Sequence, residues 1–137
     1  MNKVMIDTGV FIALFSKHDL YHAQSLAVIK PENMHTFTTD AVITEVEYIF
    51  YNRIDIQIDF LRLISDSNIS IITFSDNDYL KIALLMKKYS HLPMDYADAT
   101  LVHACDKIGS NMIASVDSDF NIYKYRGKRA FKNLIQL

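Results

Sequence analysis

The chain has 137 residues, half of them apolar, a formal charge of −2 and one cysteine. This is enough apolar material for one domain over 1–137 with its own core, and a single cysteine excludes an internal disulfide. The charge balance excludes a uniformly basic nucleic-acid coat, and no uncharged apolar run approaches the roughly 20 residues that span a bilayer; because Asp7 interrupts the first apolar run, no signal peptide is expected and the protein is read as cytoplasmic, with no membrane partner.

Val4-Met5-Ile6 is too short for a helix and stops at Asp7-Thr8-Gly9, which predicts a buried strand with Asp7 at its carboxyl end. Val10, Phe11, Ile12, Leu14 and Phe15 suit a buried helix, with Thr8 placed to bond a free amide of its first turn. A second helix over about 21–29 stops before Pro31, and 36–38 predicts a second strand. Asp40 is placed to cap a helix in which Val42, Ile43, Val46, Ile49 and Phe50 recur at helical spacing. Glu45 lies near the beginning of that helix, and Glu47, two residues on, faces elsewhere.

A helix over about 56–64 leads to the β-branched run 69–74, expected as a fully buried strand. Ser75 followed by Asp78 resembles a capping box, opening a helix that continues to about Tyr89. His91-Leu92-Pro93 breaks the chain. Asp95 or its neighbour then opens a helix with Ala97, Leu101, Ala104, Cys105 and Ile108 on one face and Gly109 at its end. Within that apolar face Cys105 reads as a small buried side chain, and Asp95 and Asp98, one turn apart, share a face. Met112-Ile113-Ala114 is a further strand, running into Ser115-Val116-Asp117-Ser118-Asp119-Phe120 in a mirror of the pattern at Asp7. Beyond it, Lys124, Arg126, Lys128, Arg129 and Lys132 lie among Tyr123, Tyr125 and Phe131. Two readings fit that mixture: a surface for phosphates and unstacked bases, or a solvated strand edge protected by charge.

Strands alternating with helices imply an α/β fold, a parallel sheet with helices on both faces. In such sheets ligands bind beyond the carboxyl ends of the strands. Asp7 and Asp117 are therefore predicted to converge, joined by Glu45 and Asp98 from helices. Such a cluster repels itself unless a divalent cation neutralises it, and hard ions such as Mg²⁺ or Mn²⁺ take oxygen ligands and promote attack of water on phosphodiesters. Asp7 is expected as the central ligand, Asp98 and Asp117 as the rest of the shell, and Glu45 as the group that orients water or holds a second ion. Asp95 and Asp119 read equally as auxiliary acids or as caps, and Thr8 and Ser115 as partners of the site or as local turn bonds. His18 and His22, four apart, lack a third ligand, and the three glycines form no phosphate loop.

Four stretches in this order, Val4-Met5-Ile6-Asp7-Thr8-Gly9, Thr44-Glu45-Val46, Leu92-Pro93-Met94-Asp95-Tyr96-Ala97-Asp98-Ala99 and Ser115-Val116-Asp117-Ser118-Asp119-Phe120, bracket nearly the whole chain. The set resembles the PIN-domain nucleases, particularly the VapC-type toxins of toxin–antitoxin systems. The resemblance implies a three-layer α/β/α domain, an acidic metal site of Asp7, Glu45, Asp98 and Asp117, Mg²⁺ or Mn²⁺ as cofactor, and endonucleolytic cleavage of RNA, single-stranded or structured. It also implies a homodimer and a small antitoxin whose tail covers the acidic pocket. Ser115 stands where the family more often has Thr, and Asp95 adds an acid beside Asp98. The alternative is a non-catalytic RNA-binding or regulatory module of the same fold. A phospho-acceptor signalling domain would want adjacent acids after the first strand and a lysine after the last, which this chain lacks.

Overall fold

The computed structural model describes residues 1–92 and 94–137; the break expected at Pro93 falls outside the described residues. In chain order the elements are β1 (Asn2–Ile6), α1 (Thr8–Leu14), α2 (His22–Ile29), β2 (Met34–Thr39), α3 (Asp40–Ile49), α4 (Ile54–Asp66), β3 (Ile69–Ile72), α5 (Asp76–Lys88), α6 (Tyr96–Ile108), β4 (Met112–Ala114), a 3₁₀ turn (Ser118–Asn121), β5 (Lys124–Tyr125), β6 (Arg129–Ala130) and β7 (Lys132–Asn133). Five strands form one sheet in the order β3-β2-β1-β4-β7, with every neighbouring pair parallel. Helices complete a three-layer α/β/α arrangement.

The central strand explains the register. Val4, Met5 and Ile6 are fully buried although successive side chains point to opposite faces, because both faces are covered. Met5 sits opposite Phe37 of β2 and Ile113 of β4, and Ile6 opposite Ala114. From β1 the chain steps outward through β2 to β3, then returns past β1 to β4 on its other side. The connections leaving β1 and β4 therefore diverge, and a crevice opens between them at the strands' carboxyl ends.

Helix α6 is the inner wall. Every residue from Ala97 to Cys105 is buried, small side chains at Ala97, Ala99, Ala104 and Cys105 allowing close approach to β1, β2, α3 and α5. Cys105 is the inert small residue expected, its thiol pushed well above the ordinary range by burial. The capping box at Ser75 and Asp78 is present, and Asp78 does more than cap. Its Oδ1 lies 2.7 Å from His103 Nε2, and its Oδ2 accepts from Lys107 Nζ at 2.7 Å, tying α5 to α6. These bonds hold the Asp78 carboxyl well below the usual carboxylate range. Under α1, Phe11 packs edge-on against Phe60 with centroids 5.2 Å apart.

Several expectations are corrected. Asp7, not Thr8, caps α1, and Thr39 precedes α3, so Asp40 is its first residue rather than its cap. The extended backbone at each strand end already supplies the cap geometry, which moves the cap one residue toward the strand. Glu45 sits mid-way along α3. The run at 69–74 is not a fully buried strand: β3 is a sheet edge, only Ile69 is buried, and Ile71 is 37% exposed. At the C-terminal end, Tyr123 and Tyr125 are turned into the core while Arg126, Lys128, Arg129 and Lys132 are exposed, so the aromatic half of the expected basic and aromatic surface is missing. The chain reverses there through Arg126 and Gly127, both at positive φ, with Lys128 N–H bonding the Tyr125 carbonyl at 3.1 Å.

Gly9 sets how closely α1 can approach the segment after β4. A Cβ at this position would lie 2.2 Å from Val116 Cγ2, and a β-branched side chain has little freedom to move aside. Because Val116 stands between Ser115 and Asp117, this contact also sets the spacing of the loops that carry Asp7 and Asp117. Gly9→Ala should cost about 1–3 kcal/mol by overpacking, measured by denaturant unfolding, and adding Val116→Ala should restore most of that loss. A neutral Gly9→Ala would show that the close approach is absent.

Candidate metal centre

Asp7 leaves β1 as the N-cap of α1 and is only 7% exposed. Its Oδ1 accepts the Thr8 N–H at 2.7 Å and its Oδ2 accepts the Ser115 hydroxyl at 2.7 Å. Ser115 Oγ in turn accepts the Asp117 N–H at 3.0 Å, so one hydroxyl couples the two strand-end segments. Both readings of Ser115 are therefore realised, the local turn bond and the bond to a site acid. Thr8 acts similarly: its amide holds Asp7, and its hydroxyl donates to Glu45 Oε1 at 2.7 Å across 37 residues of chain.

Asp98 arrives from the other side, on the first turn of α6 in a reciprocal capping box with Asp95. The Asp98 N–H donates to Asp95 Oδ1 at 2.8 Å, so Asp95 caps the helix. Asp98 is 8% exposed, and its Oδ2 accepts the Tyr123 hydroxyl at 3.2 Å. Asp117 caps the 3₁₀ turn by accepting the Asp119 N–H at 2.9 Å. Asp98, Asp117 and Asp119 each place a carboxylate oxygen within 4.8 Å of the others. The tightest oxygen group thus includes Asp119, read from sequence as auxiliary; Asp7 lies close enough to feel the charge of Asp117, and Glu45 lies beyond Asp7.

Electrostatics report the crowding. Burial pushes the Asp7 carboxyl up to about 6, opposed by the Ser115 and Thr8 bonds and reinforced by the charges of Asp117 and Glu45. Burial pushes Asp98 up to about 7, reinforced by Asp95, Asp7 and Asp117. Asp119 is raised by burial and by Asp117. The phenol of Tyr123 is pushed far up by burial and by Asp98, so it stays protonated and donates. Tyr123 is the residue sequence reasoning missed, having been read with the basic tail; only its proximity in the fold identifies it. The histidine pair makes no helical clamp, because His18 precedes α2 and His22 Nδ1 lies 2.7 Å from the Ala13 carbonyl. Among the described residues Glu47 joins none of these contacts.

The donor set suits a hard divalent cation. It is all carboxylate oxygen, it gathers several negative charges, and two of its members, Asp7 and Asp98, are pushed toward protonation by burial and by neighbouring acids when no positive charge is present.

A fold with a five-stranded parallel sheet and acids at the switch point defines a class of α/β proteins that use the carboxyl edge of the sheet. Residues 4–125 match the family model for the PIN domain, and the chain belongs to the PIN domain family. Among solved structures it is similar to VapC20 of Mycobacterium tuberculosis, described as a sarcin-ricin loop cleaving toxin, at 17% identity and a TM-score of 0.77 over 92% of this chain and 98% of that one. It is also similar to VapBC2 of Rickettsia felis, solved bound to a DNA fragment from its promoter, at 15% identity and a TM-score of 0.65 over 96% of this chain and 98% of that one. At these identities the likeness is one of fold. No curated protein matches the chain by sequence.

Asp7 and Asp98 keep a proton in the folded chain across a pH range, roughly 4 to 7, where the unfolded chain has lost it. The metal-free protein should therefore lose stability as pH rises through that window. Melting temperature measured in EDTA from about pH 5 to about pH 8 should fall, and Asp98→Asn should flatten the slope. An equally steep slope in that variant would contradict the assignment.

Proposed function

We propose that this chain is a metal-dependent endoribonuclease, a single PIN domain that acts as the toxin of a toxin–antitoxin pair. The observation that carries the reading is the convergence of Asp7, Glu45, Asp98, Asp117 and Asp119 at one edge of the sheet. Membership of the PIN domain family and the likeness in fold to a toxin described as cleaving the sarcin-ricin loop support RNA as substrate. The likeness to a VapBC complex supports a small antitoxin as partner. A homodimer and a cytoplasmic setting complete the reading, and no helix among the described residues is long and apolar enough to cross a membrane.

In this reading Asp98, Asp117 and Asp119 would hold the cation with Asp7, whose position is fixed by Thr8 and Ser115. A bound Mg²⁺ or Mn²⁺ supplies positive charge for the phosphoryl oxygens and a water acidic enough to attack at neutral pH. Glu45, steadied by the Thr8 hydroxyl, would orient the attacking water. Tyr123 fixes one Asp98 oxygen and leaves the other free. Below about pH 7 Asp7 and Asp98 keep protons that must leave as positive charge arrives, so catalysis is expected to rise with pH through the range where they lose them.

Asp7→Asn removes charge and keeps volume. It should abolish Mg²⁺-dependent cleavage of RNA, a loss of at least about a hundredfold by analogy with removal of one charge-stabilising group, while leaving the circular dichroism spectrum unchanged. EDTA should stop the wild-type reaction and Mn²⁺ should restore it. Wild-type rates in Asp7→Asn would sink the reading, and tight RNA binding without turnover in any divalent ion would favour the non-catalytic module.

A further inference from the structure

Beside the acidic cluster, at the carboxyl ends of β2 and β3, lies a cavity of about 210 Å³ lined by Asp40, Thr73, Phe74, Tyr79, Tyr96 and Thr100 together with Ala41 and Ile72. It is on the same edge of the sheet as the acids, because Asp40 follows β2 directly and Thr73 follows β3. Ala41 and Tyr96 also line the shallower cleft whose other walls include Glu45 and Asp95. The pocket and this cleft therefore meet at Ala41 and Tyr96, and the cleft reaches Glu45 of the acidic site.

The lining selects the ligand. Tyr79 and Tyr96 are half-exposed, and Phe74 braces Tyr79 edge-on with centroids 6.1 Å apart, leaving aromatic surface open to solvent. Among the described residues neither phenol hydroxyl nor the Asp40 carboxylate has a hydrogen-bond or ion-pair partner. Flat aromatic walls favour a flat aromatic ligand. An exposed, unpaired carboxylate repels phosphate and accepts from N–H donors. A phosphate subsite is thus disfavoured and a nucleobase favoured. Of the four bases, guanine alone offers two adjacent N–H donors on its Watson–Crick edge, matching the two oxygens of one carboxylate.

We propose that this pocket is a nucleobase subsite, guanine-preferring, which holds the base next to the phosphate that lies over the acidic cluster. Tyr96 and Tyr79 stack on the base and Asp40 accepts from its N1–H and exocyclic amino group. The proposal deepens the ribonuclease reading and rests on it for the identity of the strand, but binding at the pocket needs no metal.

The test has two arms. In EDTA, saturation-transfer NMR with GMP, AMP, CMP and UMP should show GMP bound most tightly. Tyr96→Ala should weaken it about tenfold or more, Tyr96→Phe should restore the stacking, and Asp40→Asn should level GMP with AMP. In Mg²⁺, cuts in a randomised RNA pool should carry guanine at one fixed position beside the cleaved bond, a preference lost in Asp40→Asn. GMP bound no better than AMP, or equally well by folded Tyr96→Ala, would overturn the proposal. So would a change of solution mass in Tyr79→Ala, which would make the pocket a subunit contact. A chain that binds GMP at Tyr96 yet cuts no RNA would remove the nuclease reading and leave the subsite. RNA cut with one unchanged sequence profile in wild type and Asp40→Asn would remove the subsite alone.

Discussion

Carboxylates placed side by side out of water oppose the fold that brings them together, and everything around this crevice is arranged to hold them there. Asp7 and Asp98 are each less than a tenth exposed, and burial, with the charges of neighbouring acids, raises the affinity of each for a proton. Their oxygens are not left to find partners by chance. Thr8 and Ser115 hold Asp7, and Asp95 and Tyr123 hold Asp98. The donors only partly offset the burial and the repulsion, since both carboxyls remain pushed toward neutral pH. A divalent cation at the site would remove what is left.

The rest of the architecture serves that placement. Strand order puts β1 and β4 side by side at the point where the connections diverge, so Asp7 and Ser115 can meet across 108 residues of chain. Gly9 allows α1 and the segment at Val116 to touch, which a side chain would prevent. The buried contact of Asp78 with His103 and Lys107 fixes α6 against α5 at the far side of the site. That cluster carries charge of both signs and is satisfied within the fold, whereas the one at Asp98, Asp117 and Asp119 carries a single sign. The contrast separates a structural ion pair from a place that wants a ligand.

Much of this was legible in the residues. Short apolar runs ending in Asp7 and in Ser115-Val116-Asp117 mark strands and their carboxyl ends without any knowledge of contacts, and helical spacing marks α3, α5 and α6. The capping box at Ser75 and the helix start at Asp95 are local and were readable for that reason. What failed depended on neighbours far along the chain. Whether the run at 69–74 lies inside the sheet or at its edge is decided by strand order, which no local pattern encodes. Tyr123 and Tyr125 look like a binding surface until the fold turns them inward, where Tyr123 becomes the donor to Asp98. The two-residue strands β5, β6 and β7 are too short to carry a period. The aromatic pocket at Tyr79 and Tyr96 draws on residues from four elements and could not be seen before they were assembled.

The central claim is that the buried acids exchange protons for a divalent cation. Calorimetric titration with Mn²⁺ at about pH 6.5 in buffers of different ionisation enthalpy measures that exchange directly. Binding should release protons, on the order of one per site, because carboxyls poised near 6 and 7 must ionise to bind the ion, and the release should vanish above about pH 8.5 and shrink in Asp98→Asn. Failure to bind Mn²⁺, or binding with no linked proton at the lower pH, would contradict the account.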